Sequence, residues 1–165
     1  MAKVLVIDYE KCTGCRLCEQ VCSVKHEGVS NPARSRIKIV KWEQEGRYVP
    51  MGCQQCESAP CQAVCPVKAI SREEPLNRVM VDYDVCIGCR MCVAVCPFGA
   101  MAFDTLAKRV IKCDLCDGDP LCVKFCYVAA VQYVDASEQG IPKRVEAADK
   151  YSGIIQKVTA AIASI

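Results

Sequence analysis

The sequence predicts an α+β chain made of two pseudo-symmetric units with a C-terminal helical extension. Three observations predict it. Sixteen of the 165 residues are cysteine, and they fall in four groups of four. Residues 8–22 (DYEKCTGCRLCEQVC) recur as residues 82–96 (DYDVCIGCRMCVAVC), with nine of fifteen positions identical. Short β-rich runs flank the cysteine groups, and apolar residues at helical spacing close the chain.

Each group has a readable spacing. The first is Cys12-x2-Cys15-x2-Cys18-x3-Cys22 and the third is Cys86-x2-Cys89-x2-Cys92-x3-Cys96. Both follow the C-x2-C-x2-C-x3-C run of bacterial [4Fe–4S] proteins. The second (Cys53, Cys56, Cys61, Cys65) and the fourth (Cys113, Cys116, Cys122, Cys126) widen only the middle gap, to four and five residues. Three closely spaced thiolates can reach three corners of one iron–sulfur cube, provided the loop curls around it. Gly14 and Gly88 suit such a loop, because glycine accepts left-handed backbone at little cost. The fourth cysteine starts a new direction. In two-cluster proteins of this kind it serves the neighbouring cluster. A duplicated pair of motifs is the simplest account of the repeat.

Along the chain, Val4–Asp8 and Val79–Asp82 read as strands entering motifs one and three. Ile37–Glu43 and Arg47–Val49 flank a Glu-Gly turn and read as a hairpin. Val67–Ser71, Ala100–Phe103 and Val128–Val134 read as strands returning from the last three motifs. Glu19–Lys25, Ala63–Val67, Val93–Val95 and Val123–Val128 read as short helical segments. From Val145, the residues Ile154, Ile155, Val158, Ala161, Ile162 and Ile165 predict an amphipathic helix.

Composition excludes several classes. Met1 to Tyr9 has an apolar run of only four residues, Val4 to Ile7, shorter than a signal peptide needs. The expectation is therefore a cytoplasmic protein whose thiols are reduced or metal-bound, with disulfides rejected. No window approaches the roughly 18 apolar residues of a membrane span. Zinc is the other rival, but its sites use two short knuckles across a longer spacer. The formal charge is +2. Four loaded cluster sites at about −2 each would carry the holo-protein to about −6, which argues against a nucleic-acid partner.

The stretch CTGCRLCEQVCSVKHEGVSNPARSRI, with the three later motifs, resembles the iron–sulfur subunits of molybdenum and tungsten enzymes. In general it is similar to the four-cluster beta subunits of the dimethyl-sulfoxide-reductase type. In particular it resembles the small polyferredoxin subunits of tungsten enzymes of the aldehyde oxidoreductase family, which include the electron-transfer subunit of class II benzoyl-coenzyme A reductase. His26-Glu27-Gly28 and Asn31-Pro32-Ala33-Arg34-Ser35-Arg36 carry the finer likeness. The resemblance covers residues 1–135 and implies a four-cluster ferredoxin-like domain there, with 136–165 as an extension bearing a docking helix.

The resemblance also implies a pairing of motifs: 12–22 with 113–126, and 53–65 with 86–96. Carried over, the ligand sets are Cys12, Cys15, Cys18 and Cys126; Cys53, Cys56, Cys61 and Cys96; Cys86, Cys89, Cys92 and Cys65; and Cys113, Cys116, Cys122 and Cys22. The 20-residue loop between Cys65 and Cys86 independently suits the inner pair. The chain departs from the pattern in having no proline after Cys22 or Cys126.

The implied cofactors are four [4Fe–4S] clusters. The implied role is electron relay to or from a large catalytic subunit carrying a tungsten or molybdenum pterin, with ferredoxin or further redox subunits as additional partners. No catalytic constellation or nucleotide loop is visible, so the chemistry belongs to the partner. A free-standing polyferredoxin and a structural or redox-sensing module are the competing readings. Arg16 and Arg90, between cluster cysteines, are candidates for tuning potentials, weighed against plain ion pairs. His26, the only histidine, is read as a surface residue after a short helix rather than a ligand. Trp42 and Tyr48 flank the hairpin turn, where packing on the sheet competes with partner contact. Arg34, Arg36, Lys38 and Lys41 read as a wet strand face or an acidic partner's dock. Arg34, Arg36 and Trp42 are carried forward as partner-contact candidates.

Overall fold

The computed structural model describes residues 3–136. The helix expected from Val145, and the docking role given to it, lie outside them. Within them, strands and cysteine loops alternate. Strand β1 (Lys3–Ile7) leads into motif one, and β2 (Lys38–Trp42) and β3 (Arg47–Met51) join motif one to motif two. Strands β4 (Ile70–Glu73) and β5 (Arg78–Val81) join motifs two and three; β6 (Ala102–Asp104) and β7 (Arg109–Ile111) join motifs three and four. Strand β8 (Val131–Asp135) leaves motif four. These strands form four antiparallel pairs: β1–β8, β2–β3, β4–β5 and β6–β7. The pairing of β1 with β8, Ile7 opposite Val131, brings the two ends of the described chain together.

One hydrogen bond recurs at corresponding places. The amide of Asp8 donates to the Ala130 carbonyl at 2.8 Å, and the amide of Asp82 donates to the Ala69 carbonyl at 2.7 Å. In each case the residue after an entering strand meets the residue before a returning one. Motif one is thereby joined to motif four as motif three is joined to motif two.

The helices are short because each is confined between a loop cysteine and a turn. Helix α1 (Leu17–Glu27) is the exception. It runs through Cys22, since no proline follows, and stops at Gly28, whose φ of 71° is the left-handed conformation of a C-terminal cap. Helix α2 (Pro60–Ala63) begins at its proline and lies upstream of the expected Ala63–Val67 segment. Proline's fixed φ and missing N–H suit the first turn, and Pro66 prevents any continuation. Helices α3 (Met91–Val95) and α4 (Leu121–Lys124) are the other α-helices among the described residues. Helix α1 packs on α4, and α2 on α3.

The apolar interior gathers in two clusters. One contains Ala59, Ile70, Val79, Val81, Cys92, Met101 and Val110. The other contains Cys18, Cys22, Ile37, Cys122 and Val131. Strand β7, which the sequence reading missed, supplies Val110 to the first. Its three residues follow Lys108 and are too few to show an alternation.

Candidate metal centre

The loops of motifs one and three curl in the same way. Gly14 and Gly88 have φ of 69° and 68°, and Arg16 and Arg90 have φ of 62° and 65°. Two left-handed residues within four positions fold the loop back on itself and then release it into a helix. The Gly14 loop is covered by Tyr48 of β3, whose ring fills the space a side chain would need.

Three hollows are each lined by four cysteines. Cys12, Cys15, Cys18 and Cys126 share one with Leu17, Ile39 and Phe125. Cys53, Cys56, Cys61 and Cys96 share another with Val79, Met101 and Lys112. Cys65, Cys86, Cys89 and Cys92 share the third with Ile87, Arg90 and Val110. The remaining four thiols, Cys22 of α1 and Cys113, Cys116 and Cys122 of motif four, are neighbours. Burial raises the Cys122 thiol well above its ordinary range, and charges on Cys113, Cys116 and Cys22 add to the rise. Burial likewise pushes Cys113 up to about 12, with the charge of Cys53 in the adjoining hollow contributing.

The last cysteine of each motif also receives a main-chain donor. Ala69 donates its amide to Cys65 Sγ at 3.2 Å, Ala100 to Cys96 Sγ at 3.3 Å, and Ala130 to Cys126 Sγ at 3.2 Å. All three amides sit four residues on, just after a left-handed residue: Lys68, Gly99 or Ala129. In motif one the helix continues past Cys22, so that turn is absent. The donor comes instead from Arg36, whose amide lies 3.3 Å from Cys22 Sγ. Amides aimed at sulfur stabilise a thiolate and tune the potential of a cluster bound to it.

The polar residues singled out from the sequence fare differently. Arg16 pairs with Glu19 at 2.5 Å, and Glu19 also accepts the Ile39 amide at 2.7 Å. Arg90 lies over the Phe103 ring, 3.7 Å from its centre. Both arginines line a cysteine hollow. Arg34 and Arg36 are not a wet face. Arg34 pairs with Glu27 at 2.7 Å and Asp104 at 2.5 Å, and Arg36 is only 8% exposed, beside Asp114 at 3.6 Å. The expected solvated face is thus replaced at these two positions by internal pairing, because the carboxylates of Glu27, Asp104 and Asp114 draw both side chains inward. Trp42 remains 40% exposed at the hairpin end, with the Arg47 guanidinium 4.3 Å above its ring.

His26 is the clearest correction. It sits in the last turn of α1 with its side chain only 10% exposed, its Nε2 3.5 Å from Asp114 and 3.6 Å from Cys116 Sγ. Helix α1 runs two residues beyond the expected Lys25, and the ring in that last turn lies against motif four. Two further residues escaped the sequence reading. Gln55 accepts the Val79 amide at 2.8 Å and donates to the Cys113 carbonyl at 2.9 Å, and Lys112 lies against it at 3.1 Å. Nothing in their local sequence marks them, since the contacts span 24 to 58 positions.

Sulfur donors crowded four to a hollow, walled by apolar side chains and met by backbone amides, suit a soft thiolate-bound iron centre better than a hard cation. The chain is an iron–sulfur electron-transfer protein that binds more than one [4Fe–4S] cluster. It belongs to the 4Fe-4S dicluster domain family, whose model matches residues 44–136; a 4Fe-4S binding domain model matches residues 5–25. Its relatives point the same way. It is 41% identical over 125 residues to the polyferredoxin-like subunit of an aliphatic sulfonate oxidoreductase from Pyrococcus furiosus, covering 76% of this chain and 72% of that one. It is 39% identical over 153 residues to an uncharacterized ferredoxin of Methanocaldococcus jannaschii, covering 92% and 84%. It is 30% identical over 175 residues to formate hydrogenlyase subunit 2 of Escherichia coli, covering 84% of each. Among solved structures, the active-site complex BamBC of benzoyl-coenzyme A reductase aligns at 30% identity and a TM-score of 0.49, over 81% of this chain and 75% of that one. Among the described residues no helix is long and apolar enough to cross a membrane.

Proposed function

We propose that the four thiol sets hold one [4Fe–4S] cluster each, and that the chain relays electrons to or from the catalytic subunit of a tungsten or molybdenum oxidoreductase. The observation that carries this reading is the crossing of the fourth cysteines. Cys96 lines the hollow of motif two, Cys65 that of motif three, and Cys126 that of motif one. Cys22 neighbours Cys116 and Cys122 of motif four. Each motif thus contributes three thiols to one set and one to another, the arrangement of two paired ferredoxin-like units. When bound, such a cluster takes up and releases single electrons.

The sets also adjoin in an order. Cys18 neighbours Cys122, Cys53 neighbours Cys113, and Cys61 neighbours Cys92. That places the set of Cys12 at one end and the set of Cys86 at the other. The two exposed thiols, Cys15 and Cys89, belong to these end sets. In this reading the two end sets, of Cys12 and of Cys86, are the natural points of electron entry and exit. A dedicated catalytic partner is supported by the resemblance of the motif-one region and by relatives that are subunits of oxidoreductases. Arg16 and Arg90, each at an end set, are proposed to raise the potentials there.

Iron and acid-labile sulfide on protein purified without oxygen test the cluster count. About sixteen of each per chain, without zinc, are expected for four cubes. Zinc without sulfide would overturn the reading. Purification from the native source tests the partner: one large protein should co-elute at a fixed ratio, whereas a free-standing carrier elutes alone.

A further inference from the structure

Lys112 follows β7 directly and precedes Cys113. The residue is 4% exposed. Its Nζ donates to the Val79 carbonyl, to Gln55 Oε1 at 3.1 Å and to the Cys113 carbonyl at 3.2 Å. Three acceptors match the three protons of an ammonium, which has no acceptor of its own. Among the described residues, the carboxylates within ion-pair distance of a cation pair with other side chains, not with Lys112. A buried cation without a counter-charge is costly. The groups around this one are thiols. Lys112 lines the hollow of Cys53, Cys56, Cys61 and Cys96.

We propose that Lys112 is the shared counter-charge of the two middle cysteine sets, those of Cys53 and of Cys113, and that it raises the reduction potential of both. The inference rests on the reading that each set holds one cluster. The sign follows from charge. An oxidised cluster with four thiolates carries about −2 and gains one more negative charge on reduction. A fixed positive charge between two such sites favours the reduced form of each, and it offsets their mutual repulsion where electrons must pass. The three hydrogen bonds hold the ammonium at the junction, so its charge cannot swing out to solvent.

The test is an EPR-monitored redox titration of the anaerobically purified holo-protein and of Lys112→Gln, Lys112→Met and Lys112→Arg. The two neutral variants should lower two of the four potentials, each by about tenfold in the reduction equilibrium constant, which is about 59 mV for a one-electron couple. The other two potentials should stay in place, and Lys112→Arg should keep all four. Four unchanged potentials in Lys112→Gln with full iron content would overturn the proposal. If the neutral variants lose iron, recovery of full content in Lys112→Arg upholds the need for charge, and failure to recover it refutes that need. Wild-type protein with fewer than about sixteen irons would show instead that the reading of the thiol sets is at fault, and the proposal falls with it.

Discussion

The ring of Tyr48 occupies the space that a side chain at Gly14 would need: a Cβ there would lie 2.6 Å from the ring. Gly14 also has a φ of 69°, where L-residues are strained. Gly88, its counterpart in the repeat, has a φ of 68°, but a Cβ there meets the Lys108 carbonyl at 3.5 Å and the Phe103 ring at 3.7 Å, both ordinary contacts. Gly14→Ala should therefore cost more than Gly88→Ala, which should cost about 1–2 kcal/mol from backbone strain alone. Thermal unfolding of the two holo-variants checks the ranking. The double variant Gly14→Ala with Tyr48→Ala should recover part of the Gly14 loss.

Crossed ligation makes a specific expectation for the fourth cysteines. Cys96→Ala should disturb the cluster of Cys53, Cys56 and Cys61, not that of its own motif. Cys65→Ala should do the reverse. EPR of the reduced variants, with iron counts, distinguishes this from ligation confined to single motifs.

His26 offers a probe free of overlap, because the chain has no other histidine. Its Nε2 faces Asp114 and Cys116 Sγ, both able to accept a hydrogen bond from it. Untagged protein labelled with 15N-histidine should show a nitrogen hyperfine coupling to one reduced cluster in pulsed EPR. His26→Leu should abolish the coupling and lower one potential. A spectrum without coupling would place the ring too far from any cluster to act on it.

Acid should strip the clusters unevenly. Burial pushes the thiols of Cys18 and Cys113 up to about 12 and raises Cys122 further. A raised thiol pKa means that protons compete harder with iron, so cluster retention falls as pH falls. These three thiols belong to the sets of motifs one and four. Iron and EPR signals followed through an anaerobic descending pH series should show those two clusters lost before the other two.

The buried ion cluster should be costly to break from one side. Glu27 is 4% exposed in its side chain and lies 2.7 Å from Arg34 and 3.5 Å from Arg109. Asp104, 2% exposed, meets Arg34 at 2.5 Å. Arg34→Met leaves both carboxylates short of a partner, and a loss of about 3–5 kcal/mol is expected. Denaturant unfolding of the holo-protein measures it. Substitution at exposed Lys11, whose pairing with Asp8 is on the surface, should change stability little.

Much of this was legible along the chain. The x2-x2-x3 spacing and Gly14 and Gly88 specify loops that curl, because the requirement is local backbone geometry within a dozen residues. The strand runs before motifs one and three were equally visible, and β1 and β5 lie within a residue of the expected positions. Proline placement is legible too: Pro60 starts α2 and Pro66 bars its continuation, so α2 and β4 lie away from the expected Ala63–Val67 and Val67–Ser71.

Local spacing ran out where the chain meets itself at long range. No periodicity records that the ring of His26 lies against Cys116, 90 positions away, or that Arg34 reaches Asp104, 70 positions away. Arg34 and Arg36 look like a solvated face until the carboxylates of Glu27, Asp104 and Asp114 are placed around them, while Lys41 does stay exposed. Lys112 gives no local sign of its burial, since its partners Gln55 and Val79 come from motif two and β5. Donor chemistry is a property of residue type and spacing. Which donors share a hollow, and which charge stands between them, depends on contacts between segments far apart in sequence, and those exist only once β1 has met β8 and the paired strands have brought the motifs together.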